Sequence, residues 1–470
     1  MNIVQIIAKE NKNHLHRNAI IDQGKIITYA QLWEAVEKAS KELTRLEIRR
    51  FNRVALLCQD SADYIVMSLA VLKLYAVIVP VPFGSTDDEI NSLLKNIKIN
   101  FLVFQKNSYS QKNAQAINNE LLIIKLATTG RLNNNFYKIN PAFIRFSSGT
   151  TGTNKGVVLS HKSILERTTA ANKGLQIKPG EQIIWVLSMS FHFVVTILLF
   201  LRRSSTIIIS SRNFPQDLLA NLNRYPATFI YASPLHYHLL TSLNIPKKSL
   251  ACVRLAVSTA IKLPETIAKK FQQKFGFPLT ESYGIIEVGL PFVNLSGKLT
   301  KCGSVGKILP DYQIKILNAD AQGIGEIYIK GKGMFEAYFY PWRARAKVLI
   351  KGWFNTGDLG RLDENGYLFI LGRHKQIINF NGMKVFPFEI ESLLNTHPLI
   401  KESLCFGKLH PEYGQIPVAK IVLKNSRCTL NPEILRKFCY QHLAAYKVPK
   451  EFQQVSSLAK TVSGKLKIVV

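Results

Sequence analysis

Between residues 53 and 81 the chain reads apolar, helical, apolar, and that order narrows the fold more than any other stretch. Residues 53–57 (Arg-Val-Ala-Leu-Leu) and 76–81 (Ala-Val-Ile-Val-Pro-Val) are short continuous apolar runs of the length of buried strands. Residues 62–74 between them space their apolar side chains as a helix does. A helix between two buried strands implies a crossover and a parallel sheet. Similar alternation runs from Phe143 to about Phe277, so the expected class is α/β. From Gly303 to Gly331 the period shortens to two, and residues 312–316 and 325–329 predict strands between glycine turns. Past Gly372, residues 416–423 read as a strand and 432–443 as a helix, a small unit of its own. Residues 106–140, rich in Asn, Lys and Ser, read as a variable surface connection.

Composition removes several classes. With 47% hydrophobic residues over 470 positions the chain can bury large cores, and two or three domains suit its length. Residues 183–201 reach the length of a membrane span, but Ser188, Ser190 and His192 interrupt them, so a buried strand and helix is expected. Residues 1–12 lack the pattern of a signal peptide. The six cysteines form no C-x-x-C pair, as in a reducing compartment, and a cytoplasmic protein is expected. Lys plus Arg is 61 against 31 acids, a net +30. That balance is either an inherited lysine-rich composition or the mark of an acidic partner: nucleotide, CoA, an acidic carrier protein, or a membrane surface touched peripherally. No nucleic-acid motif or dense basic arm accompanies it, so nucleic acid is not an expected partner. The oligomeric state cannot be read.

The chemistry concentrates in Phe146-Ser147-Ser148-Gly149-Thr150-Thr151-Gly152-Thr153-Asn154-Lys155-Gly156, directly after an apolar strand at 142–144. Glycines permit turns that expose N–H groups, and the hydroxyls and lysine add donors, the composition of a loop that holds polyphosphate. It contains no Walker A pattern.

This loop resembles the S/T-S/T-G-T-T-G-x-x-K-G signature of the adenylate-forming superfamily of acyl-CoA synthetases, adenylation domains and luciferases. Four further stretches resemble that family's signatures in its order. Tyr283-Gly284-Ile285-Ile286-Glu287 is similar to Y-G-x-T-E, and Trp353 to Asp358 to W-x-x-T-G-D. Gly372-Arg373-His374-Lys375 through Gly382, Pro387 and Glu391 resembles the family's G-R-x-K stretch, and Ser463-Gly464-Lys465 its last lysine.

The resemblance implies an α/β fold with a large N-terminal domain of stacked mixed sheets and a β-barrel-like subdomain, residues 1–371. A small α+β domain, residues 372–470, would rotate about a hinge at Lys375. It implies ATP and Mg²⁺, and an acyl-adenylate whose acyl group passes to a thiol. By the same resemblance Ser147, Ser148, Gly149, Thr150, Thr151, Gly152 and Lys155 hold phosphates, and Ser258, Thr259 and Ala260 form the adenine-side loop. Tyr283 and Gly284 lie at the adenine, and Asp358 and Arg373 at the ribose. Glu287 would be the metal ligand, and Lys465, Thr150, Lys155 and His192 the catalytic set.

Three positions depart from the pattern. The threonine before the glutamate is Ile286, a lost hydroxyl of about 1–3 kcal/mol. The adenine-side loop lacks the usual glycines, and Asn379 stands where lysine is common. These departures keep open a second class, a nucleotide-binding regulatory relative with impaired turnover. At Ser190-Phe191-His192-Phe193, amino-acid-activating relatives carry an aspartate for the substrate ammonium. Here His192 and the apolar Val194, Val195, Leu198 and Leu199 favour a fatty or aryl acid. The tail from Gly372 carries 15 Lys and Arg against 6 acids. That suits CoA as thiol acceptor, with the phosphopantetheine of an acidic acyl carrier protein as the alternative.

Overall fold

The computed structural model describes residues 1–109, 113–128, 131–147, 155–381, 383–460 and 466, with backbone alone at Phe146, Ser147, Lys375 and Lys384. Among the described residues the chain builds two nine-stranded sheets, a four-stranded sheet and a five-stranded sheet.

The strand Arg53–Leu57 is buried along its whole length, which is why it reads as a continuous apolar run. It lies parallel to Val77–Pro80 on one side and Phe101–Gln105 on the other. The helix Ala62–Lys73 makes the crossover. The Ser61 hydroxyl accepts from the Tyr64 N–H, and Asp63 and Lys73 complement its two ends.

The other large sheet has parallel strands Asn18–Asp22, Thr206–Ile209, Gln182–Trp185, Phe229–Ala232 and Leu255–Ser258, then Thr280–Ile285. One apolar core joins the facing sides of both sheets and takes in helices Ile3–Asn11, Ala62–Lys73 and His161–Leu175. Separate apolar clusters cover the two outer faces, so sheets and helices stack in layers. The barrel-like part is the antiparallel sheet Tyr312–Leu317, Gly325–Gly331, Phe354–Leu362 and Leu368–Arg373. The last sheet, built on Ile400–His410 and Gly414–Leu423 with helices Pro387–Leu394 and Pro432–His442, has its own core around Ile390, Cys405 and Ile421.

One sequence expectation changes. Residues 106–140 are more than a surface connection: Leu121–Lys125 adds an antiparallel strand to Phe101–Gln105, and Phe136 is buried. Leu121 and Ile123 turn inward alternately, a signal drowned by the polar residues around them. The strand and helix expected at 183–201 are there: the strand Gln182–Trp185, then helical backbone in three pieces, Met189–His192, the π-helical Phe193–Ile197, and Leu198–Arg202. No helix among the described residues is long and apolar enough to cross a membrane.

Candidate active site

The strands Phe354–Leu362 and Leu368–Arg373 pair so that Asp358 faces Arg373, and Arg373 Nε lies 3.0 Å from Asp358 Oδ1. The Thr356 hydroxyl accepts from the Asp358 N–H at 3.1 Å and fixes the turn before it. The Tyr283 hydroxyl donates to the other oxygen, Asp358 Oδ2. Burial, then that carboxylate, hold the Tyr283 phenol far above the usual range. Tyr283 stands on Thr280–Ile285, parallel to Leu255–Ser258, whose carboxyl end runs into Thr259 and Ala260. Ser258, Thr259, Ala260, Tyr283, Asp358 and Arg373 therefore gather at one edge of the fold, outside the carboxyl ends of parallel strands, where α/β sheets bind ligands. Ala260 sits at φ +73°, a left-handed backbone that costs a non-glycine residue about 1–2 kcal/mol. Gly284 has no room for a side chain, since a Cβ there would come 2.5 Å from the Gly289 carbonyl.

Strands Pro141–Ser147 and Lys155–Ser160 pair with Ser147 opposite Lys155. Ser148, Gly149, Thr150, Thr151 and Gly152, between those strand ends, lie outside the described residues, and so does Lys465. For Ser147 and Lys375 the backbone alone is described, Lys375 within the 3₁₀ turn His374–Gln376. Lys155 Nζ lies 5.0 Å from the centroid of the Tyr338 ring. The Tyr338 hydroxyl donates to Glu287 Oε1 at 3.2 Å, so lysine and carboxylate flank one ring. Burial and Glu287 push the Tyr338 phenol up. Arg167, wholly buried, donates through Nε and Nη2 to the Gly333 carbonyl and through Nη1 to that of Ile286, which fixes the backbone next to Glu287. Desolvation draws its guanidinium down to about 10. Glu287 itself is partly exposed. A hard carboxylate on a partly exposed residue, one Tyr338 ring away from Lys155, is a donor that suits Mg²⁺.

His192 closes the short helix Met189–His192, with its ring edge-on to Trp185 at 5.9 Å and to Tyr231 at 6.1 Å. Those two rings stack on each other, so the histidine stands on an aromatic wall. Val194, Leu198 and Leu199 are buried in the main core. They back this window rather than line it, while His192 and Val195 stay partly exposed.

A cavity of about 220 Å³ adjoins the Asp358–Arg373 pair and is bounded also by Lys262, Phe388, Glu391 and Leu466. It is thus lined from both sides of Lys375, and Leu466 is the residue after Lys465. Lys262 Nζ donates to the Ile370 carbonyl at 3.1 Å and stands 4.2 Å from the centroid of the Phe388 ring. Behind it Glu281 is buried, and burial draws Lys262 down and pushes Glu281 up.

Four residues here escape a reading of the sequence: Arg145, Arg167, Lys262 and Tyr338. Only Arg145 carried a local signal, a lone cation inside an apolar strand two residues before Ser147.

Fold and site together are those of an AMP-forming acid–thiol ligase. Residues 7–339 match the AMP-binding enzyme model and residues 389–465 the AMP-binding enzyme C-terminal domain, so the chain belongs to the AMP-binding enzyme family. It is 29% identical to a 2-succinylbenzoate–CoA ligase of Bacillus subtilis over 96% of this chain and 93% of the relative. It is 27% identical to the peroxisomal OPC-8:0-CoA ligase 1 of Arabidopsis thaliana over 96% and 90%. Among solved structures, the B. subtilis o-succinylbenzoate CoA synthetase with its acyl-adenylate superposes with TM-score 0.84 at 24% identity over 98% of this chain and 96% of that one. ATP-bound MatB from Rhodopseudomonas palustris gives 0.84 at 23% over 99% and 97%.

Proposed function

We propose that the chain couples ATP to the activation of a carboxylic acid with an apolar body, an aryl acid ahead of a fatty acid, and passes the acyl group to CoA. In the first step an acid oxygen bonds to the α-phosphorus, the bond to the β-phosphate bridge breaks, and pyrophosphate leaves. In the second, the thiol sulfur bonds to the acyl carbon, AMP leaves, and the thiol proton goes to solvent. The single observation that carries this reading is the convergence of Tyr283 and Arg373 on Asp358 beside the Ser258–Ala260 loop. It supports a carboxylate fixed in orientation by a phenol and a guanidinium, suited to two ribose hydroxyls. Mg²⁺ on Glu287 would neutralise phosphate oxygens. Lys155 would add a fixed cation across the Tyr338 ring, and with Ser147 to Gly152 it would hold the β- and γ-phosphates. The aromatic wall behind His192 favours a flat or apolar acyl body over an ammonium-bearing one. A relative named for 2-succinylbenzoate, an aryl acid, supports the same order.

The test is pyrophosphate release from ATP and Mg²⁺ with a panel of aryl acids (2-succinylbenzoate among them), fatty acids and amino acids, followed by CoA or a phosphopantetheinylated carrier protein. Release with an aryl or fatty acid and transfer to CoA is expected. No release with any acid, from folded protein that still binds AMP, would favour the regulatory reading that the missing hydroxyl at Ile286 suggests.

A further inference from the structure

Two arginines feel the charge of Glu287, Arg167 wholly buried and Arg145 half-buried, and they are not equivalent. Arg167 has carbonyl acceptors for all three of its nitrogens, so its charge is fully hydrogen-bonded into the fold. Arg145 has a different environment. Its Nη1 donates to the Phe191 carbonyl at 3.0 Å, and its guanidinium carbon lies 4.9 Å from the centroid of the Phe191 ring. Its Nε is sealed from solvent and, among the described residues, finds no acceptor. No ion pair is made to it among the described residues; Glu287 acts on it through space alone. A sealed N–H without an acceptor is costly, the more so on a charged group. The residue nevertheless stays partly open to solvent.

Its place in the fold says what could complete it. Arg145 lies on the strand that leads into the phosphate-type loop, touches the residue before His192, and faces the field of Glu287. That is the junction between acyl window and phosphate side, where an incoming carboxylate must approach the α-phosphate against like-charge repulsion. Ile286, next to Glu287, stands where the family pattern has a threonine, so one hydroxyl donor is missing beside that carboxylate. We propose that Arg145 is a substrate-binding and catalytic residue whose guanidinium takes the reacting carboxylate of the acid. The inference rests on the function proposed above. A planar guanidinium matches a carboxylate with two parallel bonds, and a cation at that point screens the repulsion as the oxygen closes on phosphorus.

Pyrophosphate release is measured against acid and against ATP for the wild type, Arg145→Lys and Arg145→Gln. The expected result is a KM for the acid raised at least tenfold in Arg145→Gln, partial recovery in Arg145→Lys, and a KM for ATP within twofold of wild type. An unchanged KM for the acid, or a rise confined to ATP, overturns the proposal. Should the variants misfold, the wild type alone decides: the primary amide of its best acid, neutral and of the same shape, should compete at least tenfold less well than a non-reacting carboxylate analogue. Equal inhibition by the two removes the cation from the argument. A wild type inert toward every acid would instead refute the functional reading, which separates the two failures.

Discussion

Lys262 and Phe388 meet face-on, ammonium to ring centroid 4.2 Å, across the cavity beside Asp358. Lys262 follows the strand Leu255–Ser258 and Phe388 belongs to the helix Pro387–Leu394, on opposite sides of Lys375 in the chain. Any rotation about Lys375 must pull them apart. A cation–π pair of this kind contributes about 0.5–2 kcal/mol. Phe388→Leu should therefore depopulate the observed arrangement by about 2- to 30-fold, while Phe388→Tyr should leave it in place. Single-molecule distances between a label on each side of the hinge report the populations. Identical distributions for Leu and Phe would show that the contact carries no weight.

A second prediction concerns the brace under Glu287. Gly333 has φ +70°, and a Cβ there would lie 2.5 Å from the Arg167 backbone nitrogen. Gly333→Ala should cost about 2–4 kcal/mol of unfolding free energy through backbone strain and displaced packing. Arg167→Met should cost a similar 2–5 kcal/mol, because two carbonyls then lose their donors inside the core. Urea unfolding followed by tryptophan fluorescence measures both. A loss under 0.5 kcal/mol in either would mean that the loop before Glu287 is held by something else.

The third follows from a buried acid. Burial pushes the Glu391 carboxyl up to about 7, only partly countered by the Cys405 N–H that donates to it at 2.8 Å. An unfolded glutamate titrates near 4.3, so between there and about 7 the folded chain holds the extra proton. Stability is then fully present below about pH 4.3 and falls as pH rises through 7, by on the order of 3 kcal/mol for this group. Glu391→Gln keeps the acceptor and removes the titration. The unfolding of the C-terminal unit should flatten across pH 5–8 in the variant, and the variant should be the more stable form at pH 8. Parallel curves for both proteins would place the charge of Glu391 elsewhere in the balance.

What was legible in the sequence was local or carried by ordered signatures. The run 53–57 declares a buried strand because both its faces are covered, and the helix after it declares itself by spacing and by Ser61. Asp358 and Arg373 were separately recognisable, and fifteen residues of antiparallel hairpin explain why they meet. Arg167 and Tyr338 were not recognisable. Each acts on Glu287 from another part of the chain, and nothing in a lone Arg or Tyr tells which carbonyl or carboxylate it will reach. Lys262 reads as a surface lysine until Ile370 and Phe388 close over it. The strand 121–125 was hidden for the opposite reason: polar neighbours set the average of its window.

The last prediction joins Lys465 to the hinge. Both half-reactions act on one acyl-adenylate, yet the thiol needs access to a carbonyl that the first step must shield. One fixed geometry cannot serve both, whereas rotation of the C-terminal unit about Lys375 can. Leu466, the residue after Lys465, lines the cavity shared with Asp358 and Arg373, so in the observed arrangement the C-terminal segment reaches the nucleotide side. That is the arrangement expected for adenylation. Removing a cation aimed at developing phosphate charge costs on the order of 10²–10³ in rate. Lys465→Ala should lower pyrophosphate formation by that factor, with thiol transfer from a supplied acyl-adenylate staying within about tenfold of wild type. Lys375→Pro should do the reverse, since proline pins φ at the pivot and the chain is already in the first arrangement. Rapid-quench measurement of each half-reaction in each variant decides it. Equal losses in both steps for Lys465→Ala would make that lysine structural, and equal losses for Lys375→Pro would move the pivot away from residue 375.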